Sequence, residues 1–223
     1  MDKNLRGIKF LKEGKMEEAL KLFTEQIDEQ PDDPAAYINF GNVLTAVGEL
    51  ERAVKFFEKA IEIDPEAVSA YYSLGTFYYE QEQFEKARSY FEKSIQKGLQ
   101  ESDAFFMLGM CFVQLEQNTL ALPYLQRAVE LNGDDIEARF QYGLSLANAQ
   151  ILEEAIKQFK QVIQLDDQHA DAYYNLGVAY AGHLEDCDQA KVCFQKALHI
   201  QKDHLLAGYG LKMIEKMTEN AES

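Results

Sequence analysis

The sequence predicts an all-α chain of six tandem two-helix repeats closed by a thirteenth helix. Three observations carry that expectation. Gly7, Gly41, Gly75, Gly109, Gly143 and Gly177 stand 34 residues apart in a chain of 223 residues with only 13 glycines, so the register is not accidental. Small and aromatic residues keep the same step. Counting each of these glycines as position 8, position 20 holds Ala19, Ala53, Ala87, Ala121 and Ala155, and position 24 holds Phe23, Phe57, Phe91, Leu125 and Phe159. Four prolines, no tryptophan and abundant Glu, Lys, Gln, Leu and Ala favour helix over sheet.

Each repeat follows one plan. Gln30 to Pro34 and Asp64-Pro65 read as turns. Apolar residues then recur at positions 4, 7, 8 and 11, the spacing of a helix with one buried face. A short polar break such as Gly48-Glu49 or Glu82-Gln83 ends that first helix. A second amphipathic stretch, Glu51 to Ile63 or Glu85 to Ile95, completes the repeat. Glycine in a helix interior costs about 1 kcal/mol against alanine. Recurring glycines therefore imply a close approach of two helices, with the position-20 alanine as the natural contact.

The repeats run over residues 1–33, 34–67, 68–101, 102–135, 136–169 and 170–203, in a single domain spanning 1–218. Pro123, near the start of its second helix, is expected to be tolerated there or to kink the helix mildly. The sixth repeat carries one extra residue within Gly182 to Gln189, so its inter-helix turn should differ. Residues 204–217 align with first helices through Ala207, Leu211 and Ile214, but Lys212 replaces the glycine and no partner helix follows. That segment is a cap over the last apolar face. Residues 218–223 are expected to fray.

Charge and composition exclude several functions. Lys+Arg is 22 and Asp+Glu is 38, a net charge of −16, which argues against nucleic acid or an anionic membrane as the main partner. No stretch approaches the roughly 20 apolar residues of a membrane span, and Met1 to Leu11 alternates charge and hydrophobe without a signal-peptide core. Cys111, Cys187 and Cys193 are too few and scattered for a disulfide scaffold, so a cytoplasmic protein is expected. His183 and Cys187 are four apart with Cys193 nearby, but a helix break intervenes and a fourth ligand is missing, so no metal site is expected. His199 and His204 read as ordinary polar residues of the terminal repeat, and Cys111 as a small buried hydrophobe. The glycines are spaced rather than clustered, so no phosphate loop is present. No cofactor is implied, and the chain reads as a non-enzyme.

The stretch Ala170-Asp-Ala-Tyr-Tyr-Asn-Leu-Gly-Val-Ala-Tyr180, with Ala190 and Phe194, resembles a tetratricopeptide repeat. So does Ala35-Ala-Tyr-Ile-Asn-Phe-Gly41 with Ala53, Phe57, Ala60 and Pro65. The resemblance covers residues 2 to about 203. The chain departs from the pattern in places. The closing proline occurs only at Pro31 and Pro65, Arg139 replaces the position-4 aromatic, and Lys3 and Arg6 occupy core positions of the first repeat. An outer edge with no preceding helix would tolerate the last two. The resemblance implies a right-handed superhelical solenoid that acts in protein–protein interaction, holding a peptide or partner segment in its concave groove.

A helical wheel puts positions 2, 5, 9, 12 and 13 of each first helix opposite the core, and the resemblance makes these the groove lining. Position 5 holds Ile38, Tyr72, Phe106, Phe140, Tyr174 and, in the cap, Tyr209. Position 9 holds Asn42, Thr76, Met110, Leu144, Val178 and Met213, and Tyr79 stands at position 12. The later first helices are thus apolar on both faces, a mark of interaction surface, although part of this area packs on neighbouring helices. Asn39 and Asn175 at position 6, together with Asn42, can pair with the backbone of a bound segment, local bonding being the alternative. Asp103, Glu137 and Asp171 at position 2, and Glu80, face a single groove base, Lys12. That balance favours an apolar partner segment with basic flanks over a free C-terminal carboxylate. Self-assembly through the end repeats, giving a homo-oligomer, is the alternative function.

Overall fold

The structure, a computed structural model, describes residues 3–221, with side chains through Thr218. Among the described residues all regular structure is helical. The first helices of the six repeats are α1 (Lys3–Lys12), α3 (Pro34–Ala46), α5 (Val68–Glu80), α7 (Ser102–Gln114), α9 (Ile136–Asn148) and α11 (Ala170–Gly182). Their second helices are α2 (Met16–Glu29), α4 (Leu50–Ile63), α6 (Phe84–Gln96), α8 (Asn118–Leu131), α10 (Leu152–Leu165) and α12 (Cys187–Ile200), and α13 (Leu205–Ala221) closes the chain. The chain divides into two compact units, Met1–Leu115 with α1 to α7 and Glu116–Ser223 with α8 to α13. The boundary falls between the two helices of the fourth repeat, at a point the 34-residue period does not mark. Within each unit consecutive helices pack on one another, and neighbouring first helices also touch, as α3 does α5 and α11 does α13.

The periodic glycines admit an aromatic ring, not the position-20 alanine. A Cβ placed on Gly7 or Gly41 would lie 2.5 Å from the ring of Phe23 or Phe57. On Gly75 it would lie 2.7 Å from Phe91, and on Gly143 and Gly177 2.8 Å from Phe159 and Phe194. These rings are 2% exposed or less. The cost of an interior glycine is offset by a fully buried phenylalanine, worth roughly 1.5–3 kcal/mol. The position-20 alanines are buried as well and keep the paired helices close.

A second periodic feature lies in the turn between paired helices. Gly14 (φ 74), Gly48 (φ 81), Glu82 (φ 56), Glu116 (φ 59), Gln150 (φ 63) and Glu185 (φ 51) all adopt left-handed backbone. After four of these the next N–H reaches five residues back, Lys15 to Phe10, Glu49 to Leu44, Gln83 to Tyr78 and Ile151 to Leu146, at 2.8–2.9 Å, and after Glu185, in the turn with the inserted residue, Asp186 reaches six back to Tyr180 at 2.9 Å. This closure caps the first helix and reverses the chain. Only glycine takes the conformation without a Cβ penalty, so Glu82→Gly and Gln150→Gly are each expected to stabilise the fold by up to about 1 kcal/mol. Gly48→Glu should destabilise by a similar amount. Thermal melts of the three variants check the signs.

The irregular repeats are accommodated by identifiable contacts. Lys3 at the outer edge pairs with Glu25 at 3.1 Å and Glu29 at 2.6 Å. Arg139 donates to Gln158 Oε1 (2.9 Å), Gln161 Oε1 (2.5 Å) and the Gly133 carbonyl (2.6 Å), so a guanidinium fills the aromatic position by bonding amides around it. Helix α8 continues through Pro123, whose side is exposed. The extra residue of the sixth repeat lengthens the turn before α12, and Asp186 there caps the helix by accepting from the Gln189 N–H at 3.0 Å.

Helix α13 covers the last core. Ala207 and Ile214 are buried against Ala190, Phe194 and Ala197. Lys212 stands where the periodic glycine would, and Gly210 makes room for the aromatic ring in its place: a Cβ there would lie 2.7 Å from Phe194. The helix runs four residues past Met217, with the Thr218 hydroxyl donating to the Ile214 and Glu215 carbonyls. The end of the expected frayed tail, residues 222–223, lies outside the described residues.

Candidate partner-binding face

In the first unit, three predicted residues meet in one place. Asn42, Tyr72 and Thr76, joined by Thr45, Ser73 and Glu80, line an open hollow of about 200 Å³ with Phe57 beneath it. Successive first helices α3 and α5 bring them together, since position 9 of one repeat lies beside positions 5, 6 and 9 of the next. The Ser73 hydroxyl donates to Asn42 Oδ1 at 3.3 Å, which fixes the amide oxygen of Asn42 at the edge of the hollow. Ser73 stands at position 6, which Asn39 and Asn175 hold in their own repeats, and it bonds the position-9 Asn42 of the preceding repeat. Burial, and then the Asp103 carboxylate, push the Tyr72 hydroxyl above its ordinary range. Tyr72 also meets Phe91 edge-on at 5.5 Å, and Tyr79 meets Phe84 at 5.3 Å, so both rings are half packed and half presented. Asn39 is committed elsewhere, donating to Asn4 Oδ1 at 2.6 Å. Ile38, Phe106 and Met110 are partly exposed.

In the second unit the predicted residues separate into core and surface. Phe140 is 8% exposed, lying 6.0 Å from Phe159 and 4.5 Å from His169, so it belongs to the core and not to a partner-facing ladder. Tyr174 repeats the arrangement between Phe194 (6.0 Å) and His204 (5.1 Å) but stays partly exposed. Asn175 bonds back to the Asp171 carbonyl at 2.8 Å. Glu137 accepts from Gln141 at 2.8 Å on its own helix, and Leu144 is partly exposed. Tyr209 is 66% exposed and shares an open apolar trough with Tyr174.

His204 is not an ordinary surface residue. It is buried, and its Nδ1 accepts from the Ala207 N–H at 3.2 Å, capping α13. That bond requires an unprotonated Nδ1, so the proton sits on Nε2, which donates to Asp171 Oδ1 at 3.1 Å. His169 caps α11 in the same way, through the Ala172 N–H. Asp171 is therefore tied to the cap and is not a free acidic flank. Sequence position alone hides this role, because histidine is an uncommon N-cap.

Cys111 and Cys193 are buried, and burial raises their thiols to about 12 and about 11 respectively. At pH 8 fewer than about one in a thousand of either is thiolate. Cys187 is partly exposed. Iodoacetamide should therefore label Cys187 alone in the folded protein and all three cysteines in urea, as read by peptide mass. Among the described residues no group of three or more His, Cys, Asp or Glu could hold a metal ion, and no helix is long and apolar enough to cross a membrane.

Comparisons with known proteins agree with the repeat architecture. Tetratricopeptide repeat patterns match residues 10–75, 150–183 and 170–204, and a pattern described as anaphase-promoting complex, cyclosome, subunit 3 matches residues 47–128. No curated protein matches the sequence. Among solved structures, YrrB, described as a TPR protein with an unusual peptide-binding site, is 49% identical over 85% of this chain and 97% of its own, with a TM-score of 0.81. MamA is 25% identical over 73% of this chain and 94% of its own, with a TM-score of 0.68. PilF of Pseudomonas aeruginosa, 21% identical, covers 93% of this chain and 94% of its own at a TM-score of 0.76 and shares the fold. With tandem helix pairs built on a 34-residue period and 49% identity to YrrB over 85% of its length, the chain belongs to the tetratricopeptide-repeat family.

Proposed function

We propose that this protein–protein interaction module docks partner segments on the exposed faces of its first helices. The observation that carries the reading is the hollow on α3 and α5. There an amide, four hydroxyl side chains and a carboxylate converge over an aromatic floor. Such a lining offers an extended chain the donors and acceptors its backbone needs. Glu80 and Asp103 favour lysine or arginine beside the docked segment, in keeping with the net charge of −16. YrrB, with its peptide-binding site, supports the same use of the fold. The function is binding and not catalysis, in a protein with no resident cofactor. Self-association is the competing reading, and light scattering across a concentration series tests it.

Site-specific photo-crosslinking in the native cell tests the proposal. Benzoylphenylalanine at Thr76 or Tyr209 should capture a partner, whereas the same probe at the exposed second-helix positions Lys59 and Lys196 should not. Capture from the second helices alone would move the site to the opposite surface. For a captured partner with basic flanks, Asp103→Lys combined with Glu137→Lys should slow association, and the wild-type rate should fall as salt is added. Asp171 is kept unchanged in that test because it holds His204. Asn42→Ala should speed dissociation several-fold by removing an amide partner.

A further inference from the structure

The richest exposed apolar surface lies on α11 and α13. Leu206, Tyr209, Met213 and Met217 follow one another at spacings of three and four along one side of α13 and are 57%, 66%, 64% and 56% exposed. Val178 on α11 is 46% exposed. With Tyr174 these side chains wall an open trough of about 400 Å³, floored by the Phe194 ring that Gly177 and Gly210 allow to rise between the helices. A terminal helix that only covers a core turns a polar side to water. This one covers the core with Ala207 and Ile214 and still presents a second apolar stripe.

The chemistry of the lining selects the shape of the occupant. Among the described residues eleven line the trough, and of these Tyr174 and Tyr209 alone bring strongly polar side-chain groups, their hydroxyls. An extended segment laid there would leave most of its backbone N–H and C=O groups without partners. A helix bonds its own backbone and presents side chains alone. From Leu206 to Met217 the stripe rises about 16 Å, three helical turns. The methionines can reshape around an inserted side chain. With a net charge of −16, a second copy of this chain is repelled and a cationic partner is drawn in.

We propose that the trough between α11 and α13 takes one amphipathic helix of about three turns from a partner protein. Its apolar residues, spaced three and four apart, pack on Val178, Tyr209 and Met213, and lysine or arginine occupies its outer face. The inference rests on the first-helix face being the docking surface and adds a separate site and a helical ligand class to it.

The test uses the full chain and three fluorescein-labelled peptides of about 14 residues, read by anisotropy. The first carries leucines on one helical face and lysines elsewhere. The second has the same composition with the leucines dispersed around the helix, and the third has two interior prolines that prevent a helix. The first should bind saturably and gain helicity, with the other two at least tenfold weaker. Tyr209→Gln combined with Met213→Gln should weaken the first peptide at least tenfold without moving the melting temperature, and Lys59→Gln on the exposed side of a second helix should leave it unchanged. Absent binding, equal binding of the dispersed peptide, or indifference to the double variant overturns the proposal. If only the proline peptide binds, the helical ligand is wrong while the docking face stands. If crosslinking from Thr76 and Tyr209 also fails, the docking face falls too. A wild-type dimer in sedimentation velocity that the double variant abolishes would give the trough to a second copy and would equally overturn the proposal.

Discussion

Gly75→Leu is expected to cost more than about 3 kcal/mol, at or above the upper end of ordinary overpacking. The cause is geometric. Even a bare Cβ would lie 2.7 Å from Phe91, a ring with no exposed surface onto which to retreat. Gly75→Ala should cost less, because alanine recovers about 1 kcal/mol of helix propensity, and Gly75→Ala with Phe91→Leu should be more stable than Gly75→Ala alone. Gly182→Ala is the control, since no atom lies within 4 Å of its added Cβ, and it should be neutral or slightly stabilising. Urea titrations with circular dichroism read all four. A Gly75→Leu chain that melts like wild type would show that Phe91 is not the reason for the periodic glycine.

Removing residues 204–223 should be as damaging. Ala207 and Ile214 leave the core cluster, Phe194 is no longer covered by Gly210, and Tyr174 is parted from the His204 ring 5.1 Å away. At roughly 1.5–3 kcal/mol for each large apolar side chain returned to water, the loss is about 4 kcal/mol or more. The shortened protein should aggregate or melt well below the full chain. His204→Ala should produce a fraction of that effect, because it removes one helix cap and one partner of Asp171 while leaving Ile214 in place. Unchanged melting and solubility after truncation would mean that α13 does not act as a cap. The exposed stripe on the same helix separates the two roles of α13: Met213→Gln should alter binding and leave stability alone.

The candidate site was legible only in part. Position along the repeat put Asn42, Tyr72 and Thr76 on the outward side, because a helical wheel decides which side of a helix faces away from its partner, and the structure brings the three into one hollow. It did not decide which outward residues remain available. Phe140 and Tyr174 occupy the same repeat position, yet Phe140 is buried and Tyr174 is not. Asn39 and Asn175 also share a position, but one bonds Asn4 across repeats and the other its own helix. These differences come from side chains as much as 35 residues away, which no local pattern records.

The sequence by itself determined the all-α class, the six repeats, the pairing of helices and the closing cap. Those follow from a period of 34 residues and from apolar spacing within each helix, both short-range rules written along the chain. Tertiary structure alone decided that the glycines make room for Phe23, Phe57, Phe91, Phe159 and Phe194. It decided that left-handed turns recur at Glu82 and Gln150 as they do at Gly14 and Gly48, and that Gly210 takes over the role of the glycine replaced by Lys212. It also turned His204 and Asp171 into a cap and opened the trough beside Met213. Each of these depends on where one packed helix sets the atoms of the next, and burial and hydrogen bonding acquire their values only once that packing exists.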